Sequence, residues 1–151
     1  MPWVDYNAVQ DEIVNILDSN TDMFGVTVEK EKEFPFEGYV GDWVGVYFDK
    51  RIVPPVENQV ISGGTVLMIE LQYSIWCASA SIDPDEAYIN RNKLLAKVEK
   101  ILMENLNLND QFNVQLSFLF GGEIISIKDA TDYGIGLGEI IFSVMVKATT
   151  T

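Results

Sequence analysis

"TVLMIELQYSIWCASA", residues 65–80, is the stretch whose reading decides the fold. Leu67, Ile69, Leu71, Tyr73, Ile75 and Cys77 fall on one side of an extended chain, with Glu70, Gln72 and Ser74 on the other. That period of two is the mark of a strand with one buried face. At roughly 3.3 Å per residue the strand would run to about 50 Å, where an ordinary strand has about five or six residues. A compact domain of this size has no need of such length, and an apolar face that long needs a helix laid across it.

The next segment supplies the helix. "SIDPDEAYINRNKLLAKVEKILMENL" opens with Asp83 as N-cap, Pro84 at the first helical position and Glu86 three residues after the cap. Leu94, Leu95, Val98, Ile101 and Leu102 form its apolar stripe, while Arg91, Lys93, Lys97 and Lys100 complement the helix dipole. A second amphipathic helix is predicted over residues 5–19, from Tyr6, Val9, Ile13, Ile16 and Leu17 at helical spacing behind a capping Asp5.

Strands are expected elsewhere. "GVTVEKEKEF" places Val26 and Val28 on one side, and "DWVGVYFDK" alternates Val44, Val46 and Phe48 against Trp43, Gly45 and Tyr47. "FNVQLSFLF" alternates Phe112, Val114, Leu116, Phe118 and Phe120 against Asn113, Gln115 and Ser117; "GEIISIKD" and "GEIIFSVMVKA" follow as two further strands, separated by a glycine-rich turn "DATDYGIGLG". Residues 50–64, "KRIVPPVENQVISGG", read as a long loop: Pro54 and Pro55 block ladder hydrogen bonds, and Gly63 and Gly64 free the backbone. Ile52, Val53, Val56, Val60 and Ile61 make it unusually apolar for a solvated loop, and would gain by meeting another surface. Two helices among hairpin-like strands predict a single α+β domain over residues 1–151, with a mostly antiparallel sheet and two amphipathic helices packed on it.

Composition narrows the function classes. The 151 residues carry 23 Asp and Glu against 10 Lys and Arg, a formal net charge of −13. Such a surface repels DNA phosphates and anionic lipid, so neither a nucleic-acid grip nor a membrane partner is expected. The first fifty residues hold eleven acidic and three basic side chains. No export signal opens the sequence and no run of eighteen apolar residues occurs, so a soluble protein is expected. The single cysteine, Cys77, reads as a buried thiol in mid-strand.

There is no histidine, which removes the commonest general base and metal ligand together. Asp83 and Asp85 are explained by the helix start they occupy. "YGIGLGE", residues 133–139, lacks the strand-then-helix setting of a phosphate loop and reads as a turn. Asp18, Asn20, Asp22 and Glu29 match positions one, three, five and twelve of a calcium loop, but Met23 stands where the sharp turn needs glycine and no second helix follows. The expectation is a non-enzyme with no cofactor and no metal. Trp3, Trp43, Tyr47 and Trp76 read as exposed aromatics, available to a core or a subunit interface. The contact set expected for subunits or partners is Trp43, Tyr47, Ile52, Val53, Val56, Val60 and Trp76.

The order of elements resembles the tail terminator proteins of long-tailed bacteriophages, also called tail completion or tail-to-head joining proteins. The matching parts are the first helix, the strands around "GVTVEK" and "DWVGVYFD", the long strand, the "DPDEAYINRNKLLAKVEKIL" helix and the final strand "GEIIFSVMVKA". The resemblance implies a structural virion protein located in the tail or neck, and in the host cytoplasm during assembly. It implies a homo-oligomeric ring, typically a hexamer, that caps the tail tube, stops its growth and joins it to the head connector. Its partners would be further copies of itself, the tail-tube protein and head-connector proteins, with DNA passing through without specific binding. The overlong strand would then supply an edge or tip for subunit contacts, and a closed ring would satisfy a head-to-tail interface on both sides. A head-tail adaptor, minor tail or baseplate component shares the pattern. From other classes, a small acidic inhibitor or DNA mimic would use the carboxylates of the first fifty residues against a basic site, and an enzyme would use carboxylates with a divalent metal.

Overall fold

Helix α1, Tyr6–Ser19, starts where the Asp5 carboxylate accepts hydrogen bonds from the backbone N–H groups of Asn7 and Ala8. The computed structural model describes residues 4–35, 38–53, 60–61, 64–128 and 133–149. Val9, Ile13, Ile16 and Leu17 of α1 are buried, as the helical spacing predicts. Strand β1 is Thr27–Lys30, β2 is Gly41–Ile52, β3 is Val60–Ile61 and β4 is Gly64–Ser81. Helix α2, Pro84–Met103, leads to β5, Val114–Lys128, and β6, Gly134–Thr149. The fold is α+β, with sheet order β1-β2-β4-β6-β5 and the short β3 folded back on β4. Every pairing is antiparallel except β1 with β2.

Both helices lie on one face. There α1 meets β1 and β2 while α2 crosses β4 and β6, and the β4 residues Leu67, Ile69, Leu71, Tyr73, Ile75 and Cys77 are all buried in the shared core. Two buried polar groups tie α1 down: Gln10 Nε2 donates to the Val46 carbonyl at 3.0 Å, and the Tyr73 hydroxyl to the Tyr6 carbonyl at 3.1 Å. Burial gives the Cys77 thiol its main upward pKa shift, which Glu99 and Asp42 reinforce. The α2 stripe from Leu94 to Leu102 is buried as expected. Asp83 caps α2 through the Asp85 N–H, but the cap's own N–H donates to Ser81 Oγ and not to Glu86.

Several expectations are corrected. The long strand β4 is not an edge: β2 pairs it from Glu70 to Ala80 and β6 from Val66 to Ser81. Among the described residues the free edges belong to β5 and to β1 with the far end of β2. The predicted loop at residues 50–64 starts later, because Lys50, Arg51 and Ile52 continue β2 and Val60–Ile61 pair with Gly64–Thr65. "FNVQLSFLF" and "GEIISIKD" form one continuous strand, β5, with register shifts at Val114/Leu116 and Gly121/Ile124. Each shift moves alternate side chains to the opposite face. Val114 packs on the main core with the helices. Leu116, Phe118 and Phe120, expected on the same face, pair with Met145, Ser143 and Ile141 and point the other way.

"GIGLG" is likewise strand, not turn. Gly134, Gly136 and Gly138 fall on the helix-facing side of β6, where α2 runs directly over them. A Cβ on Gly136 would stand 2.8 Å from Arg91 Cβ and 3.1 Å from the Ala87 carbonyl oxygen. The alternating glycines therefore make a groove that seats the helix. Arg91, expected among the cations that complement the helix dipole, lies in this contact and is buried. Its Nη1 reaches the Ile125 carbonyl at 2.9 Å, Ser126 Oγ at 3.2 Å and the Leu137 carbonyl at 3.4 Å. Neutral acceptors thus hold the cation, and desolvation lowers its pKa against a smaller opposing effect of Tyr88.

Candidate functional site

Among the described residues no helix lies on the other sheet face. At one end it is covered by residues 31–35 and 38–40, which lie in sequence between the parallel strands β1 and β2. Phe34 packs edge-on against Trp43 and Tyr39. The Tyr47 hydroxyl donates to the Lys32 carbonyl, and Tyr133 to that of Tyr39. A second, smaller core of Phe34, Trp43, Ala78, Ala80 and Ile135 results.

Beyond this cover the face is read directly from the strand register, as rows running from β2 through β4 and β6 to β5. Trp43, Ala78, Leu137 and Ile125 form one row; Gly45, Trp76 and Glu139 the next; then Tyr47, Ser74, Ile141 and Phe120; then Lys50, Gln72, Ser143 and Phe118; and finally Ile52, Glu70, Met145 and Leu116. Two features stand out. The first is a stripe along the outer strand: Leu116 is 53% exposed, Phe120 48% and Ile127 39%, with Phe118 in ring contact with Phe120. The second is an aromatic cleft of about 400 Å³ lined by Glu33, Phe34, Trp43, Tyr47, Trp76, Ile125 and Leu137.

Gly45 makes the cleft wall. A Cβ there would stand 2.4 Å from Trp43 Cη2 and 2.7 Å from the Tyr47 hydroxyl oxygen, so glycine lets both rings close over the backbone beside Trp76. Desolvation first, then Glu31, Glu29 and Glu33, raises the pKa of the Tyr47 phenol above its ordinary value. The rim is therefore electronegative. On the neighbouring floor the Ser74 hydroxyl donates to the Glu139 carboxylate.

Of the expected contact residues, Trp43, Tyr47 and Trp76 converge on the cleft. Trp43 is only 1% exposed, so it is a core residue of the smaller cluster and not an exposed aromatic. Ile52 is 48% exposed at the opposite end of the same face, whereas Val53 packs partly on the main core. Val56, with Pro54, Pro55 and Gly63, lies outside the described residues, as does Trp3; Val60 is placed by its backbone pairing with Thr65. Sequence reasoning missed the β5 stripe and Glu33. The two bulges hid the first, and nothing local announces that Phe34 and Tyr39 pack back over the sheet.

Asn20, from the calcium-like spacing, caps a short 3₁₀ turn by accepting from the Asp22 N–H, and Glu29 lies in β1. Among the described residues no group of three or more acidic, histidine or cysteine side chains is placed to hold a metal. No helix among them is long and apolar enough to cross a membrane. No protein-family model matches the chain, and no curated protein matches it either.

Proposed function

We propose that this chain is a structural virion protein that assembles head-to-tail into a ring, of hexameric size, at the end of a phage tail tube. It ends tube growth there and joins the tail to the head connector. The observation that carries the reading is the outer edge of the sheet. β5 offers fifteen residues of strand with one side unpaired among the described residues, and beside that edge lie Leu116, Phe118, Phe120 and Ile127 on the face opposite the two helices. An edge so long and apolar is an association template unless a neighbour covers it. The opposite side of the sheet leaves the Lys50–Ile52 end of β2 beyond the reach of the four-residue β1. Two unlike edges on one subunit are the arrangement a closed heterologous ring uses.

The acidic surface supports a second part of the proposal. With a net charge of −13, a lumen of the same character would pass DNA without holding it. The test is molar mass by light scattering after size exclusion over a range of concentrations, with negative-stain images, alone and with tail-tube protein. Closed rings that Phe120→Glu disperses into monomers are expected. A wild-type chain that stays monomeric throughout, tube protein included, overturns the proposal.

A further inference from the structure

The aromatic cleft is chemically different from the β5 stripe and calls for a different occupant. Its walls are Phe34, Trp43, Tyr47 and Trp76, its floor Ile125 and Leu137, and the charged group among its lining residues is the Glu33 carboxylate. Glu29 and Glu31 act electrostatically on Tyr47 at the same rim. The nearest basic position on the sheet face, Lys50, stands two rows from Trp76. Lys32, in the covering connection, is exposed, and its carbonyl is engaged by Tyr47. Aromatic faces beside a carboxylate attract a cation on an alkyl stem: the stem buries against the rings, the charge is drawn to their π faces, and the carboxylate accepts its hydrogen bonds.

We propose that this cleft receives an arginine or lysine side chain carried on an extended segment of a different, basic partner protein. A different protein is favoured over another copy because a copy, with 23 acidic against 10 basic residues, has few cationic side chains to offer a cleft rimmed by carboxylates, whereas a basic segment is steered to it. A guanidinium fits better than an ammonium, since it stacks flat on an indole and presents a planar donor fork to a carboxylate. The proposal does not rest on ring formation.

The test uses the full chain labelled with 5-fluorotryptophan, with the Trp76 resonance assigned through Trp76→Phe. It is titrated with the blocked peptide Gly-Leu-Arg-Leu-Gly and with versions carrying lysine, citrulline or glutamate in place of arginine. The Trp76 signal should shift saturably with the arginine peptide. Affinity for the neutral citrulline peptide should be lower by about tenfold, the loss expected for a partly desolvated cation over aromatic rings. Glu33→Gln, at an exposed position whose change leaves the core intact, should narrow that preference about threefold. Phe120→Glu should leave it unaltered, which separates this site from the assembly edge. Equal affinity for the citrulline peptide overturns the proposal, as does a Trp76 signal that none of the peptides moves at millimolar concentration.

Discussion

Replacing Gly136 by alanine tests the seating of α2 on the sheet. The added Cβ would stand 2.8 Å from Arg91 Cβ and 3.1 Å from the Ala87 carbonyl oxygen, and both neighbours sit on the rigid part of a helix. Several tenths of an ångström must be found by lifting α2, which stretches the bonds from Arg91 Nη1 to the Ile125 and Leu137 carbonyls. Overpacking of this kind costs about 1–3 kcal/mol, and alanine's advantage over glycine within a strand returns about 0.5–1 kcal/mol. The net loss is about 1–2 kcal/mol, a fall of roughly 2–8 °C in Tm for a chain of this length. Thermal and urea unfolding at fixed protein concentration would measure it. The glycines should also rank. Gly134→Ala meets the Pro84 backbone at 2.4 Å and should cost at least as much. Gly138→Ala meets the Leu95 side chain nearest, at 2.5 Å, a neighbour that can turn aside, and should cost less; Gly121→Ala meets nothing within 4 Å and should be neutral or stabilising. A Gly136→Ala protein as stable as the wild type would refute the groove, and so would a Gly121 variant that suffers equally.

Arg91→Met keeps an unbranched apolar stem but removes the guanidinium from the Ile125 and Leu137 carbonyls; a loss of about 2–3 kcal/mol in urea unfolding is expected, as for hydrogen bonds to a charged group. Asp83→Ala removes the cap bond to the Asp85 N–H and should cost about 1 kcal/mol by the same measurement, with Asp83→Asn losing little. Cys77, fully buried and with its thiol held protonated by burial, should react with an aromatic disulfide reagent only at the rate of unfolding, and an immediate reaction in native buffer would contradict its placement. The Tyr47 and Tyr73 phenols are both raised, chiefly by burial. The unfolded chain therefore releases these protons first as pH passes about 10, so stability is level below that pH and declines above it. Tyr73→Phe should flatten the decline seen in urea midpoints between neutral and alkaline pH.

Both helices were legible in the sequence because a 3.6-residue stripe and a capping carboxylate are local signals, and the apolar stripes of α1 and α2 are buried as those signals require, with Arg91 added to the buried side of α2. β4 was legible for a similar reason, since its alternation is unbroken from Leu67 to Cys77. The C-terminal sheet was harder to read. Alternation in β5 looks continuous through Phe112 to Phe120, yet a bulge at Val114/Leu116 turns the later residues over; a bulge is decided by the partner strand, which the local pattern does not contain. Gly134, Gly136 and Gly138 resemble a turn by composition and act as strand because a distant helix needs the space. Trp43, Tyr47 and Trp76 were singled out by type, but their convergence depends on the β2–β4 register and on Gly45 between the first two.

The strand order has a consequence for synthesis. β6 is the last strand in sequence, yet it lies between β4 and β5 and pairs with both along most of its length. While the chain is still emerging from the ribosome, β4 and β5 have no correct partner for the sides they will turn to β6, and the groove that seats α2 does not exist. Sheet closure waits for residues 134–149, and nascent chains are held back from premature association only by whatever shields those open sides. A truncation before Gly134 should therefore yield a chaperone-bound or insoluble product, while the completed chain gains its fold in one late, long-range step.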